Sequence, residues 1–253
     1  MNTVKIRNIE LGSGIPKICV PIVAITKNEI LEEAKNFGSI PVDIAEWRVD
    51  WYEDVFDIEI LKQTLFELRA ALGEIPLLFT FRTSKEGGEK SIDSKTYSEL
   101  NIAAARTGHV DLIDVEAFTG DEIVKEIIEK VHEYGIKVVA SNHDFFATPS
   151  KEEIISRLMK MQELGADIPK IAVMPQSKKD VLTLLSATEE MYSHHADRPI
   201  ITMSMAGTGL ISRLAGETFG SALTFGAAKK ASAPGQIGVN ELHEVLKIIH
   251  SGI

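Results

Sequence analysis

The chain has 253 residues, 44% of them hydrophobic and 25% charged, an ordinary globular composition that allows a sizeable core. A formal net charge of −10, from 27 basic against 37 acidic side chains, argues against nucleic acid and anionic membrane surfaces as partners. Cys19 is the only cysteine, which excludes an intrachain disulfide and points to a reducing compartment.

Residues 1–10 alternate polar and apolar without a signal-peptide core, and no apolar stretch approaches the roughly 20 residues that span a bilayer. A cytoplasmic protein is expected. Residues 1–15 are expected as a short N-terminal β extension, a hairpin closing the bottom of a barrel. Beyond them, short apolar or β-branched runs recur at 18–24, 43–49, 77–82, 111–116, 136–141, 168–174, 199–205 and 222–226. Cys19 falls in the first of these and reads as a small core residue. Amphipathic stretches with helical spacing separate the runs, as at 57–71, 95–106, 121–134, 151–164 and 178–192. One carries clear start signals: Ser150 as N-cap and Glu153 at the capping-box position, with Gly165 as the stop. Strand–helix alternation over this length predicts an α/β protein, a (β/α)8 TIM barrel filling residues 1–253 as one domain. A doubly wound open sheet is the alternative.

In such a barrel the reactive groups belong at the C-terminal ends of the strands. Glu46 and Arg48 are two apart, so they share a strand face, while Ala45, Trp47 and Val49 take the other. A barrel strand has no solvent face, so the charged pair is expected in the lumen. Arg82 ends the third strand run, and Arg213 follows the Gly207-Thr208-Gly209 turn after the seventh. With Arg48 they make three arginines on one rim, which suggests a pocket for an anion such as a carboxylate. Of the seven histidines only His143 lies just past a strand run; 132, 243 and 250 fall in helical stretches, His109 precedes a strand, and His194 and His195 sit in a polar loop. Lys170 opens the run Lys-Ile-Ala-Val-Met-Pro (170–175) on the next strand. A lysine there is costly without a task, and one such task is Schiff-base formation, favoured by burial and neighbouring cations. Met203 and Met205 share a strand face and line either the pocket or the core. No metal site is expected, because no His-Glu-x-x-His and no Cys/His cluster with ligand spacing occurs. No Gly-x-Ser-x-Gly elbow supports serine hydrolysis.

Taken in order, the segments Glu-Trp-Arg-Val-Asp (46–50), Phe-Arg-Thr (81–83) with Glu86-Gly87-Gly88, Ile-Asp-Val-Glu (113–116), Ser-x-His-Asp-Phe (141–145), Lys-Ile-Ala-Val-Met-Pro (170–175), Met-Ala-Gly-Thr-Gly (205–209) with Ser212-Arg213, and Ala-Ser-Ala-Pro-Gly-Gln (231–236) closely resemble the type I 3-dehydroquinate dehydratases. The resemblance implies a usually dimeric barrel, a metal-free and cofactor-free lyase that dehydrates 3-dehydroquinate to 3-dehydroshikimate in the shikimate pathway. It implies Lys170 as the Schiff-base nucleophile, His143 as general acid and base, and Glu86 as the group that orients and tunes His143. Arg213 with Arg82 is expected to hold the substrate carboxylate, and Glu46 and Arg48 the ring hydroxyls. The loop 228–236 is implied as a lid, with Ser232 and Gln236 touching substrate when closed. Pro21 departs from relatives that place a small hydroxyl residue there, so no substrate contact is assigned to the first barrel strand. A class I aldolase, with the same barrel and lysine but a phosphate-bearing substrate, stays open as an alternative. So does a barrel that only binds a small anion.

Overall fold

A computed structural model describes residues 2–228 and 235–253. Strands β1 (Val4–Ile6) and β2 (Ile9–Leu11) form an antiparallel hairpin. They are followed by the parallel strands β3 (Lys17–Ile22), β4 (Ile44–Arg48), β5 (Leu77–Thr80), β6 (Leu112–Glu116), β7 (Lys137–Asp144), β8 (Ile168–Val173), β9 (Ile201–Ser204) and β10 (Leu223–Phe225). The parallel strands pair in chain order, and β10 returns to pair with β3. Between β9 and β10 the wall is joined by the Ile200–Ser221 bridge, where the Ala222 N–H donates to the Ile200 carbonyl at 2.9 Å. This is a (β/α)8 barrel, and the open-sheet alternative falls.

The connections carry α1 (Lys27–Asn36), α2 (Ile58–Leu72), α3 (Ser94–Arg106), α4 (Asp121–Glu133), α5 (Lys151–Glu163), α6 (Lys178–Glu190), α7 (Leu210–Leu214), α8 (Gly216–Phe219) and α9 (Val239–His250). Their starts follow from side chains that cap free N–H groups: Thr26, Asp57, Asp93, Ser150 and Ser177 each accept from the first turn. At α5 the expected capping box forms by half. Ser150 Oγ accepts the Glu153 N–H at 3.3 Å, but the Glu153 carboxylate turns outward to Arg157 Nε at 2.7 Å. His194 and His195, expected in a loop, sit in a π-helical turn that extends α6.

Side-chain alternation divides the interior in two. Ala45 and Trp47 of β4 with Val49 just after it, Ile113 and Val115 of β6, and Ile171 and Val173 of β8 face outward into the layer beneath the helices. Cys19, Ile44, Leu78, Leu112, Val139, Ile168, Ile201 and Leu223 face inward and fill the lower lumen. Val4, Ile6 and Leu11 of the hairpin pack under this floor and close the barrel's N-terminal end, as expected. Fully burying a side chain such as Leu11 contributes about 1.5–3 kcal/mol. Cys19 is part of the floor, where burial pushes its thiol pKa well up. Above the floor the lumen changes character. Glu46, Thr80, Asp114, Ser141 and Lys170 form a buried polar layer, with Arg48, Arg82, Glu116 and His143 at the strand ends above it.

Candidate active site

At the C-terminal mouth of the barrel one pocket gathers Glu46, Arg48, Arg82, Glu86, Gly87, His143, Phe145, Lys170, Ala172, Met203, Met205, Phe225 and Gln236. Six of the eight barrel strands, or the segments just beyond them, contribute to it.

Lys170 is the third residue of β8 and is buried. Its Cα pairs with Ser141, whereas His143 pairs with Ala172, so Lys170 starts one two-residue repeat below His143 on the adjoining strand. The four-carbon stem makes up that difference and brings Nζ into the pocket that His143 lines. Nζ donates to Asp114 Oδ2 at 3.2 Å, lies 4.0 Å from Glu46 Oε1, and sits 4.8 Å from the centre of the Phe225 ring. Sequence reasoning expected a cation beside this amine; the groups nearest to it are carboxylates. Asp114 has paid for burial, which by itself raises its pKa. Arg82, Lys170 and the Ser141 hydroxyl outweigh that and hold it below the usual range.

His143 stands above Lys170 with its imidazole tied to Glu86. Glu86 Oε2 lies 2.9 Å from both His143 Nδ1 and the His143 backbone N–H. An ionised carboxylate only accepts, so Nδ1 carries the proton and Nε2 keeps its lone pair. Burial, reinforced by Arg82, Lys170 and Arg48, pushes the His143 pKa well below its ordinary value, so the ring is neutral at pH 7. Burial also raises Glu86, to about 7; Glu116 and Asp114 add to the rise, while Arg82 and Asn142 oppose it. The turn holding Glu86 depends on two glycines. Gly87 has φ +83°, and a Cβ on it would lie 2.4 Å from the Phe145 ring; on Gly88 it would lie 1.9 Å from the Arg82 carbonyl oxygen.

The three arginines separate. Arg48 makes a two-pronged pair with Asp50, both contacts at 2.8 Å. Arg82 donates to Asp114 at 2.7 Å and to Glu116 and Ser141 at 3.0 Å. Both line the pocket, but their charge is matched by buried carboxylates within the wall. Arg213, on α7, does not line it. Its guanidinium is buried behind Met203, with Nη1 3.6 Å from Sδ, and burial pushes its pKa down to about 10. Met203, Met205, Glu46 and Gln236 lie where a ligand would meet them. Ser232 falls outside the described residues. Among the described residues no group of three or more His, Cys, Asp or Glu side chains is placed to hold a metal ion.

Sequence reasoning assigned no role to Asp114, Glu116 and Asp50, the carboxylates that organise Lys170, Arg82 and Arg48. For Asp114 and Glu116 the signal was the one that singled out Glu46 and Arg48, charged residues two apart on a strand with no solvent face; Asp50 lies in the turn that follows β4.

The site is thus a lysine, a neutral histidine and its carboxylate at the mouth of a (β/α)8 barrel. Residues 18–253 match the type I 3-dehydroquinase family, and the chain belongs to it. The 3-dehydroquinate dehydratase of Clostridium botulinum (strain Eklund 17B / Type B) is 60% identical over 250 residues, covering 99% of this chain and 98% of that protein. The type I enzyme of Clostridium difficile, solved with covalent modified comenic acid, superposes with a TM-score of 0.97 at 58% identity, covering 100% of this chain and 99% of that one. The Enterococcus faecalis 3-dehydroquinate dehydratase gives a TM-score of 0.91 at 46% identity, covering 97% and 98%.

Proposed function

We propose that the chain dehydrates 3-dehydroquinate to 3-dehydroshikimate through an iminium on Lys170, with His143 as general acid and base. The observation that carries this reading is the convergence of Lys170 Nζ and the Glu86-bound imidazole on one pocket. Neutral Nζ adds to the substrate ketone, and loss of that oxygen as water leaves an iminium. The iminium draws electrons from the adjacent C–H, whose proton passes to His143 Nε2 and leaves an enamine. Collapse of the enamine expels the β-hydroxyl, which takes the same proton and departs as water. Hydrolysis of the conjugated iminium returns the lysine and releases the enone. The test is direct: on addition of 3-dehydroquinate, ultraviolet absorbance of a conjugated enone should rise. Turnover of a phosphosugar with no enone from 3-dehydroquinate would favour the aldolase instead.

Arg213 is the anchor assigned to the substrate carboxylate by the family resemblance, and a guanidinium offers the forked donors that a carboxylate accepts. Arg82 adds positive charge from the wall but already shares its donors. Glu46 and Arg48 face the ring hydroxyls, Met203 and Met205 flank the ring, and Gln236 contacts the substrate from the segment after β10. Arg213→Ala should raise KM by a factor set by roughly 2–5 kcal/mol, the penalty for leaving a buried charge unpaired. Gln236→Ala, removing one neutral hydrogen bond of about 0.5–1.5 kcal/mol, should raise it only about two- to tenfold. Equal and negligible effects in steady-state kinetics would remove the carboxylate pocket from this account.

The Glu86 pKa of about 7 sets the acid side of the pH profile. Below it Glu86 is protonated and no longer fixes the proton on His143 Nδ1, so activity falls as pH drops through about 7. His143 itself titrates lower and does not supply this limb. Glu86→Gln should remove the limb. Turnover should fall about 10- to 100-fold, the worth of one hydrogen bond to a charged group at about 1.5–3 kcal/mol. A limb unchanged in that variant would take Glu86 out of the catalytic unit.

The reading includes a cytoplasmic homodimer, supported by the family resemblance. Among the described residues no helix is long and apolar enough to cross a membrane. Sedimentation equilibrium at twice the chain mass checks the dimer.

A further inference from the structure

Strand β7 presents His143 to the lumen and, by alternation, its neighbour Asn142 to the layer of helices outside. There the Asn142 amide is held at both ends. Nδ2 donates to Glu86 Oε1 at 3.2 Å, and Oδ1 accepts from Arg157 Nη1 at 3.0 Å. A guanidinium only donates, so Arg157 dictates which end of the amide it meets and leaves Nδ2 for the carboxylate. Arg157, on α5, is itself fixed by Glu153 Oε1 at 2.7 Å, by Asp144 Oδ2 at 3.8 Å and by the Phe118 ring, whose centre is 5.8 Å from the guanidinium carbon. Asn142 and Arg157 line a second cleft of about 370 Å³, outside the lumen pocket, and Glu86 and His143 line both cavities. The catalytic pair is a partition between the two.

We propose that Arg157 and Asn142 act as a positioning relay: Arg157 orients the Asn142 amide, and Asn142 aims the Glu86 carboxylate so that Oε2 stays on His143 Nδ1. The proposal rests on the roles given above to Glu86 and His143. Neither relay residue lines the lumen pocket, so both act through Glu86. Oε2 serves both the backbone N–H and Nδ1 of His143, and rotation of the carboxylate would break both contacts. The bond from Asn142 to Oε1 opposes that rotation from the far side. The other charged groups facing Glu86 are Arg82, 3.6 Å away, with Glu116 and Asp114 beyond it on β6 and His143 on β7; changes at 142 or 157 leave all of them in place.

The test is a profile of kcat against pH for the full-length enzyme and its variants. Asn142→Ala and Arg157→Ala should each lower kcat about two- to tenfold, less than loss of the Glu86–His143 bond itself because the carboxylate stays in place, with KM within about twofold. Both should move the acid limb to higher pH, because Glu86 loses a donor that favours its ionised form. Asn142→Asp keeps the size of the side chain and sets a like charge beside Glu86, so it should move the limb up by about one unit. Arg157→Lys should restore part of the loss, and the double alanine variant should be no slower than Asn142→Ala alone, since the two act in series. Additive losses with the limb at its wild-type position would overturn the relay. Glu86→Gln in the same series separates the two failures. If it leaves the limb in place, the Glu86–His143 assignment fails and the relay with it. If it removes the limb while the variants at 142 and 157 leave it unmoved, the relay alone fails.

Discussion

Lys170→Met is expected to abolish turnover, with a loss on the order of 10⁶, as when a covalent nucleophile is removed from an enzyme whose other groups remain. Borohydride added to the wild-type enzyme with 3-dehydroquinate should inactivate it and add ligand mass to the peptide containing Lys170; the variant should take up none. Methionine nearly fills the lysine's volume without its amine, so the barrel keeps its packing. The electrostatic cost is also contained. Asp114 loses one partner but keeps Arg82 at 2.7 Å and the Ser141 hydroxyl at 2.6 Å, so its buried charge is not orphaned. A thermal melt close to wild type would show that lost activity is lost chemistry. Label on Lys137 or Lys178 would overturn the assignment. Lys137 begins β7 at the opposite end of the barrel, bonded to Asp167 at 2.9 Å, and Lys178 begins α6.

The barrel was legible because its signals are local. Each strand is a short apolar run bounded by turn residues, and each periodic helix announces itself over three or four turns. The helices left unnamed, α1 and the short α7 and α8, differ in instructive ways. The capping box of Thr26 and Glu29 at α1 was readable, while α7 and α8, at 5 and 4 residues, are too short to show a period. The placement of Glu46 and Arg48 followed from alternation alone. What alternation cannot give is the partner. Arg82 meets Asp114 and Glu116, 32 and 34 residues away in sequence, because β5 and β6 pair in a particular register; a linear reading sees only a rim arginine. Counting arginines therefore suggested three charges available for an anion, when two of them balance carboxylates in the wall. Lys170 opens its apolar run low on β8, and stem length and strand register together lift its amine to the level of the pocket. Glu86 lies in a 3-10 turn with no period, and only the family resemblance drew attention to it.

His143→Ala should still permit some iminium formation on Lys170, because addition to the ketone uses the amine and not the imidazole. Turnover should fall by about 10²–10⁴, the usual contribution of a positioned general acid and base. The size of that loss follows from where the proton has to go. The C–H proton must leave and the hydroxyl must receive one on its way out. In the pocket His143 is neutral at pH 7, with a free Nε2, and needs no prior deprotonation to act. The other candidates fit less well: Glu46 accepts from Thr80 at 3.0 Å, and Asp114 is held ionised beneath Lys170 by Arg82. The variant should accumulate adduct, visible as borohydride-trapped mass at Lys170 appearing faster than enone forms. A wild-type rate in His143→Ala would make the imidazole a bystander, and trapping lost together with turnover would mean that it acts before the iminium rather than on it.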